Sequence, residues 1–188
     1  MKRVSGKNRQ RARKQGNDRV SKIDYYLNIA EKVAERSTCL RRKFGAVIVN
    51  NDQIISTGYN GAPRKTRNCI DVGLCYREVL GVGRGEKYEL CRSVHAEQNA
   101  VIHAARFAML DGTLYVVGLD PATGEPLEDA ACCRMCKRVV INAGIGRVII
   151  RTGPKGHSEH DVSDWIKNNL GELEKKGSRL VPKKVMGY

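Results

Sequence analysis

Two short stretches of this chain carry residue types able to do chemistry: His95-Ala96-Glu97 and Cys133-Arg134-Met135-Cys136. They stand 38 positions apart, and each opens a segment that reads as a helix. A Cys-x-x-Cys pair at a helix start sets both sulfurs on one face, beside backbone N–H groups that have no partner within the helix. That setting lowers thiol pKa and favours thiolate ligands. A histidine at a second helix start supplies a third donor. Three protein donors leave one tetrahedral position open for water, the arrangement of a catalytic zinc. Glu97 follows His95 by two residues, so on a helix it points elsewhere; it is suited to moving protons at the ion's water rather than to binding metal. Singly, neither stretch says much. His-x-Glu is common, and a lone Cys-x-x-Cys also serves as a redox pair or as half of a structural zinc knuckle. The combination, in this order, carries the reading.

The elements that must position these residues follow from periodicity. Residues 22 to about 37 repeat apolar side chains at three and four (Ile23, Tyr26, Leu27, Ala30, then Val33 or Ala34), the pattern of an amphipathic helix. Phe44–Val49 is a short apolar run rich in β-branched residues, as in a buried strand, and Asn50, Asn51 and Asp52 turn it back into a second strand over Gln53–Gly58. Residues 60 to 92 are rich in Gly, Arg and Cys without a clear period. A loop of that length is normally functional or pinned by something. A helix is expected over 95–108, with Ala96, Asn99, Ala100, Ile102 or His103 and Phe107 along one side, then a strand over 113–117 and a polar loop over 118–131. A helix over 133–142 should end at Gly144, followed by a strand over 146–151 and a last helix over 161–173, capped by Asp161 or Ser163. Strands alternating with helices after an opening hairpin argue for an α/β sandwich around a mixed sheet, in one domain over 22–188.

The formal net charge of +14 is unevenly spread. Residues 1–23 hold nine Lys/Arg against Asp18 alone, so more than half of the excess lies in the first eighth of the chain. Residues 1–21 are expected to be a solvated, disordered arm, the only segment that suggests nucleic-acid contact. No apolar run of membrane-spanning length occurs, and the N-terminus is not that of a secretory signal. A soluble cytoplasmic protein is expected. In that setting the seven cysteines are better read as metal ligands than as disulfides.

His-x-Glu followed by Pro-Cys-x-x-Cys is the pattern of zinc nucleobase deaminases. RSTCLRRKFGAVIV (36–49), STGYNGAP (56–63), ELCRSVHAEQNAVIHAAR (89–106) and CCRMCKRVVINAGI (132–145) together resemble the deoxycytidylate deaminases of bacterial and phage type, within the cytidine deaminase superfamily. The resemblance spans roughly residues 22–151. It implies a three-layer α/β/α fold around a central mixed sheet and hydrolysis of dCMP to dUMP and ammonia, which would supply thymidylate synthesis. His95, Cys133 and Cys136 would hold the zinc and Glu97 would shuttle protons to N3 and to the leaving amino group. Asn60 would contact the nucleoside and Ala46 would face the base. It further implies a homohexamer activated by dCTP and inhibited by dTTP with Mg²⁺, with Tyr59, Asn60, Gly61 and Arg106 in the regulatory region.

The chain departs from the family in one place. Cys132 stands where Pro normally precedes the pair, so Cys132 with Cys136 is an alternative to Cys133 with Cys136; the i, i+3 spacing favours Cys133. Phage relatives also carry a second, structural zinc, and Cys39 and Cys69 fall at its motif positions. Cys75 and Cys91 are our assignment for the remaining two ligands. Four thiolates would close that site and pin the 60–92 segment. The rival readings are another deaminase on the same fold (dCTP, cytidine or nucleic-acid substrate) and a non-catalytic zinc protein that binds nucleic acid.

Overall fold

The computed structural model describes residues 19–83 and 86–183. The basic arm lies outside the described residues except for Arg19–Ser21. The chain opens with α1 (Lys22–Ala34), the hairpin β1 (Lys43–Asn50) and β2 (Gln53–Tyr59), and two one-turn helices, α2 (Cys69–Val72) and α3 (Tyr76–Val79). Then come α4 (Ala96–Ile102), α5 (Arg106–Met109), β3 (Thr113–Leu119), α6 (Arg134–Ala143), β4 (Arg147–Thr152), β5 (Gly156–Asp161) and α7 (Val162–Lys167). A two-stranded hairpin, β6 (Leu173–Lys176) and β7 (Arg179–Pro182), follows.

Five strands form one sheet in the order β2-β1-β3-β4-β5. Only β3 and β4 run parallel; every other pairing is antiparallel, so the sheet is mixed. The apolar runs of β1, β3 and β4 are explained by burial on both faces. Val47, Val49, Tyr115, Val117 and Ile149 meet Leu27, Ala30 and Ala34 of α1. On the opposite face Ala46, Ile48, Leu114, Val116 and Val148 meet Ala96, Ala100 and Val140 of α4 and α6. The result is the three-layer α/β/α arrangement.

Two glycines set how closely the helices approach. A Cβ on Gly45 would stand 2.1 Å from the Ala30 carbonyl oxygen, and one on Gly58 would stand 2.3 Å from both the Ala96 oxygen and the Ala100 nitrogen. Hence α1 lies directly on β1, and α4 directly on β2. The β1–β2 turn, Asn51-Asp52, has positive φ at both residues, as a tight hairpin requires. Asp52 then accepts hydrogen bonds from Tyr26 Oη (2.7 Å) and Lys22 Nζ (2.6 Å), tying the turn to α1.

The structure corrects several expected elements. The helix of 95–108 is two pieces. The chain turns at His103–Ala105, where the His103 ring binds the Thr57 carbonyl oxygen (2.9 Å) on the edge of β2, and this leaves Phe107 exposed. The last helix stops at Lys167, because residues beyond it form the β6–β7 hairpin; Asp161 caps it by accepting from Ser163 N at 2.8 Å. β5 was not expected as a strand. The 60–92 segment contains α2, α3 and a 3₁₀ turn at Tyr88–Leu90. Among the described residues no helix is long and apolar enough to cross a membrane.

Candidate active site

The site lies at one end of the sheet, where β2 and β3 finish and β1 begins. α4 and α6 pack on the same face, and their first residues meet there. His95 is the N-cap of α4, with its backbone N–H bonded to Gln98 Oε1 at 3.0 Å. Cys133 is the N-cap of α6, and its sulfur accepts from Cys136 N at 3.4 Å. Side chains from two helix starts therefore converge. His95 Nδ1 is 3.5 Å from Cys133 Sγ and 3.3 Å from Cys136 Sγ.

This donor set fits a zinc ion. Tetrahedral coordination by one imidazole and two thiolates separates N from S by about 3.6 Å and S from S by about 3.8 Å. The two N–S separations are close to the first value, and all three donor atoms lie within 4.8 Å of one another. Among the described residues no other His/Cys/Asp/Glu group gathers so tightly.

Electrostatics follow from the same contacts. The Cys136 thiol and then the His95 ring, both hydrogen-bonded to Cys133, hold its pKa down to about 4, against the effect of burial. Cys136, the donor in that pair and itself buried, is pushed up. Burial pulls His95 down, but its bond to Cys133 and the charge of Glu97 prevail, and its pKa lies above the usual value. Glu97 is buried, and burial raises its pKa against the opposing pull of His95. A raised carboxyl pKa suits a group that must both take up and release a proton.

Cys132 is buried on the Glu97 side. Its thiol is hydrogen-bonded to the Glu97 carboxylate, and burial, then Glu97, lift its pKa well above the usual range. The structure therefore brings Cys133, not Cys132, together with His95 and Cys136.

A cavity of about 310 Å³ opens onto these residues, lined among others by Phe44, Asn60, Tyr88, His95, Glu97 and Cys133. That volume is at the small end of ligand pockets. Asn60 lines it, yet most of its amide is engaged in structure. Oδ1 accepts from Ser37 Oγ (2.6 Å) and Phe44 N (2.7 Å), and Nδ2 donates to the Arg42 carbonyl (3.0 Å). Asn60 is thus a clasp between the α1–β1 connection and the end of β2. Ala46 is fully buried in the core beside Ala96 and is not on the cavity wall.

The GYNG segment is fixed to α4. Asn99 Nδ2 donates to the Tyr59 carbonyl (2.7 Å), and Gly61 pairs with Val94. Arg106 lies elsewhere, its Nε donating to the Asn142 carbonyl (3.1 Å). Cys39, Cys69, Cys75 and Cys91 all line the same cavity, and burial, then the other three thiols, raise the pKa of Cys69. Among the described residues His95, Cys133 and Cys136 form the one group of donors placed to share a metal ion; these four thiols form no such group. Periodicity gives no hint of Arg41, Arg77 and Tyr88 on the cavity wall. Arg77 and Tyr88 come from the aperiodic 60–92 segment, and Arg41 from the turn before β1.

Comparison with known proteins adds the following. Residues 20–152 match the family described as the cytidine and deoxycytidylate deaminase zinc-binding region. The deoxycytidylate deaminase of Mycobacterium phage D29 is 37% identical over 131 residues, which are 67% of this chain and 91% of that protein. The deoxycytidylate deaminase of Schizosaccharomyces pombe is 31% identical over 128 residues, 68% of this chain but only 36% of the yeast protein. Among solved structures, a dCMP deaminase from the cyanophage S-TIM5, in complex with dCMP and dUMP, aligns with 25% identity and a TM-score of 0.49 over 68% of this chain and 79% of that one.

Proposed function

The chain belongs to the cytidine and deoxycytidylate deaminase zinc-binding family, whose members are zinc-dependent hydrolases, and from that premise we propose that it converts dCMP to dUMP and ammonia. The observation that carries this is the convergence of His95, Cys133 and Cys136 beside one small cavity that His95, Cys133 and buried Glu97 line. The choice of dCMP is supported by the names of the relatives, among them the phage protein matched along 91% of its length.

His95, Cys133 and Cys136 would hold the zinc, which when bound supplies the Lewis acidity that brings the pKa of water towards neutrality. Glu97 accepts a proton from the attacking water and passes it to N3 of the cytosine as oxygen adds at C4. It then takes the proton of the new C4 hydroxyl and delivers it to the departing 4-amino group; the C4–N bond breaks, the C4 carbonyl forms, and ammonia leaves. Burial of Glu97 keeps bulk water from competing for these protons and holds the carboxyl in a range where it can serve twice.

The proposal extends to a homohexamer, to activation by dCTP and inhibition by dTTP with Mg²⁺, and to a structural zinc on Cys39, Cys69, Cys75 and Cys91. The last is supported by the placement of all four thiols on one cavity wall. The test is turnover of dCMP, dCTP, CMP, deoxycytidine and deoxyadenosine by zinc-loaded protein, followed by ultraviolet absorbance with and without Mg·dCTP and Mg·dTTP. Preference for dCMP, tuned by the triphosphates, is expected. Preference for another base or nucleotide would overturn the substrate assignment.

A further inference from the structure

The deaminase reading leaves the basic segment before α1 without a role. Residues 1–23 hold nine Lys/Arg against the single acid Asp18, and five of the nine are arginines. Residues 8–15 read NRQRARKQ: four cations, three amides and one alanine, with no acid among them. Arginine forks match phosphate oxygens, and side-chain amides join them at phosphates and base edges. A lipid surface fits less well. Met1, Val4, Ala12 and Val20 carry the only apolar side chains among the first twenty residues, too few and too far apart to make an amphipathic face.

The described residues show where this segment joins the domain. Arg19, Lys22, Tyr25, Gln53 and Ile54 line an open groove between the start of α1 and the β1–β2 turn. Tyr25 is 53% exposed there, and its ring rests edge-on against buried Tyr26 at 5.0 Å, which is itself held by Asp52. An exposed aromatic ring beside two cations, with more cations preceding it in sequence, is the combination that holds single strands: charges follow the phosphates and the ring stacks on a base. The groove is remote from the catalytic cavity. α1 packs on the face of the sheet opposite α4 and α6, and the groove lies at the turn end of β1, whereas Phe44 at the other end lines the cavity. The eight residues of that strand separate its ends by about 25 Å.

We propose that the basic segment and the groove at the start of α1 hold single-stranded nucleic acid, with the arginines and lysines on its phosphates and Tyr25 stacked on a base, at a place separate from the catalytic cavity. Such binding tolerates any sequence, because phosphates carry no sequence information and every base offers a face to stack on.

The test is fluorescence anisotropy of labelled single strands of about 20 nucleotides, one DNA and one RNA, titrated with full-length, zinc-loaded protein at several salt concentrations. Affinity is expected to fall about 10²–10⁴-fold as salt rises from about 50 to about 200 mM. Binding of either strand bears the proposal out, and the tighter one names the source. In the full chain, Arg9→Gln, Arg11→Gln, Arg13→Gln and Lys14→Gln together should flatten the slope of log affinity against log salt by about 3, since each lost phosphate contact removes about 0.7. Tyr25→Ala should weaken single-strand binding about five- to a hundred-fold, with circular dichroism confirming the fold, and Tyr25→Phe should restore it. A duplex of the same length should be indifferent to Tyr25→Ala, because its bases are not free to stack. Excess dCMP should leave the anisotropy unchanged. Absence of salt-dependent binding, or a fourfold variant with the wild-type slope, would overturn the proposal whatever becomes of Tyr25→Ala. Displacement of the strand by dCMP would place it in the catalytic cavity and overturn the separate site. Tighter binding to vesicles containing phosphatidylserine than to either strand would assign the segment to a lipid surface instead.

Discussion

Cys136 Sγ lies 3.3 Å from His95 Nδ1, although 41 residues separate the two in sequence. The contact exists because α4 and α6 pack side by side on one face of the sheet with their first turns at the same end. Each helix contributes its N-terminal positions, where side chains and unpaired backbone N–H groups favour an anionic thiolate. The Cys136 thiol and the His95 ring lower the pKa of Cys133, while the bond to Cys133 and burial push Cys136 up.

From this follows a test of which cysteine is the ligand. Cys133→Ala removes one of three converging donors and is expected to lower the zinc content by about one equivalent per chain and to abolish turnover. Cys132→Ala takes away a thiol that faces Glu97, so zinc should remain. Elemental analysis of both variants decides it. Retained zinc in Cys133→Ala together with lost zinc in Cys132→Ala would reverse the assignment.

Gly58 sets the distance from β2 to the helix that carries His95 and Glu97. A methyl there would overlap the Ala96 and Ala100 backbone at 2.3 Å, and backbone cannot swing aside as a side-chain tip does. Gly58→Ala is therefore expected to cost about 3 kcal/mol and to weaken zinc retention, since α4 must move. A thermal melt matching that of the wild type would contradict this close approach.

Stability should fall on the acid side through Asp24. Its hydrogen bond with Ser21, and then the Arg151 guanidinium at 3.1 Å, hold its carboxyl below the ordinary value. A lowered folded-state pKa contributes stability that is present above about pH 4 and is lost as pH falls through the lowered value. Arg151 is buried and would lose its counter-charge in that window. Because Asp24 is 44% exposed, solvent screens the pair, and the contribution is about 1 kcal/mol or less. Melting temperature against pH should show a shallower acid slope in Asp24→Asn than in the wild type. Parallel slopes would contradict the pairing.

How much of this was legible in the sequence depends on what each residue touches. His95, Glu97, Cys133 and Cys136 stand out because their types and spacing are tied to helix starts. β1, β3 and β4 stand out because burial on both faces demands unbroken apolar runs. β5 (GHSEHD) is an edge strand with a polar composition, and its alternation is one of partial burial rather than of hydrophobicity. The break at His103–Ala105 depends on a ring-to-carbonyl bond to Thr57, a tertiary contact that no local pattern encodes. Asn60 reads from its motif as a ligand contact, whereas in the fold most of its amide clasps Ser37, Phe44 and Arg42.

The measurement that tests the central claim most directly is dCMP turnover by zinc-loaded wild type beside Glu97→Gln, with zinc content and fold checked in both. Glutamine keeps the size of the side chain and cannot carry the proton. The account predicts clear release of ammonia and dUMP by the wild type, and a kcat lower by about 10²–10⁴-fold in the variant at undiminished zinc content. Near-normal turnover by zinc-replete Glu97→Gln would contradict it.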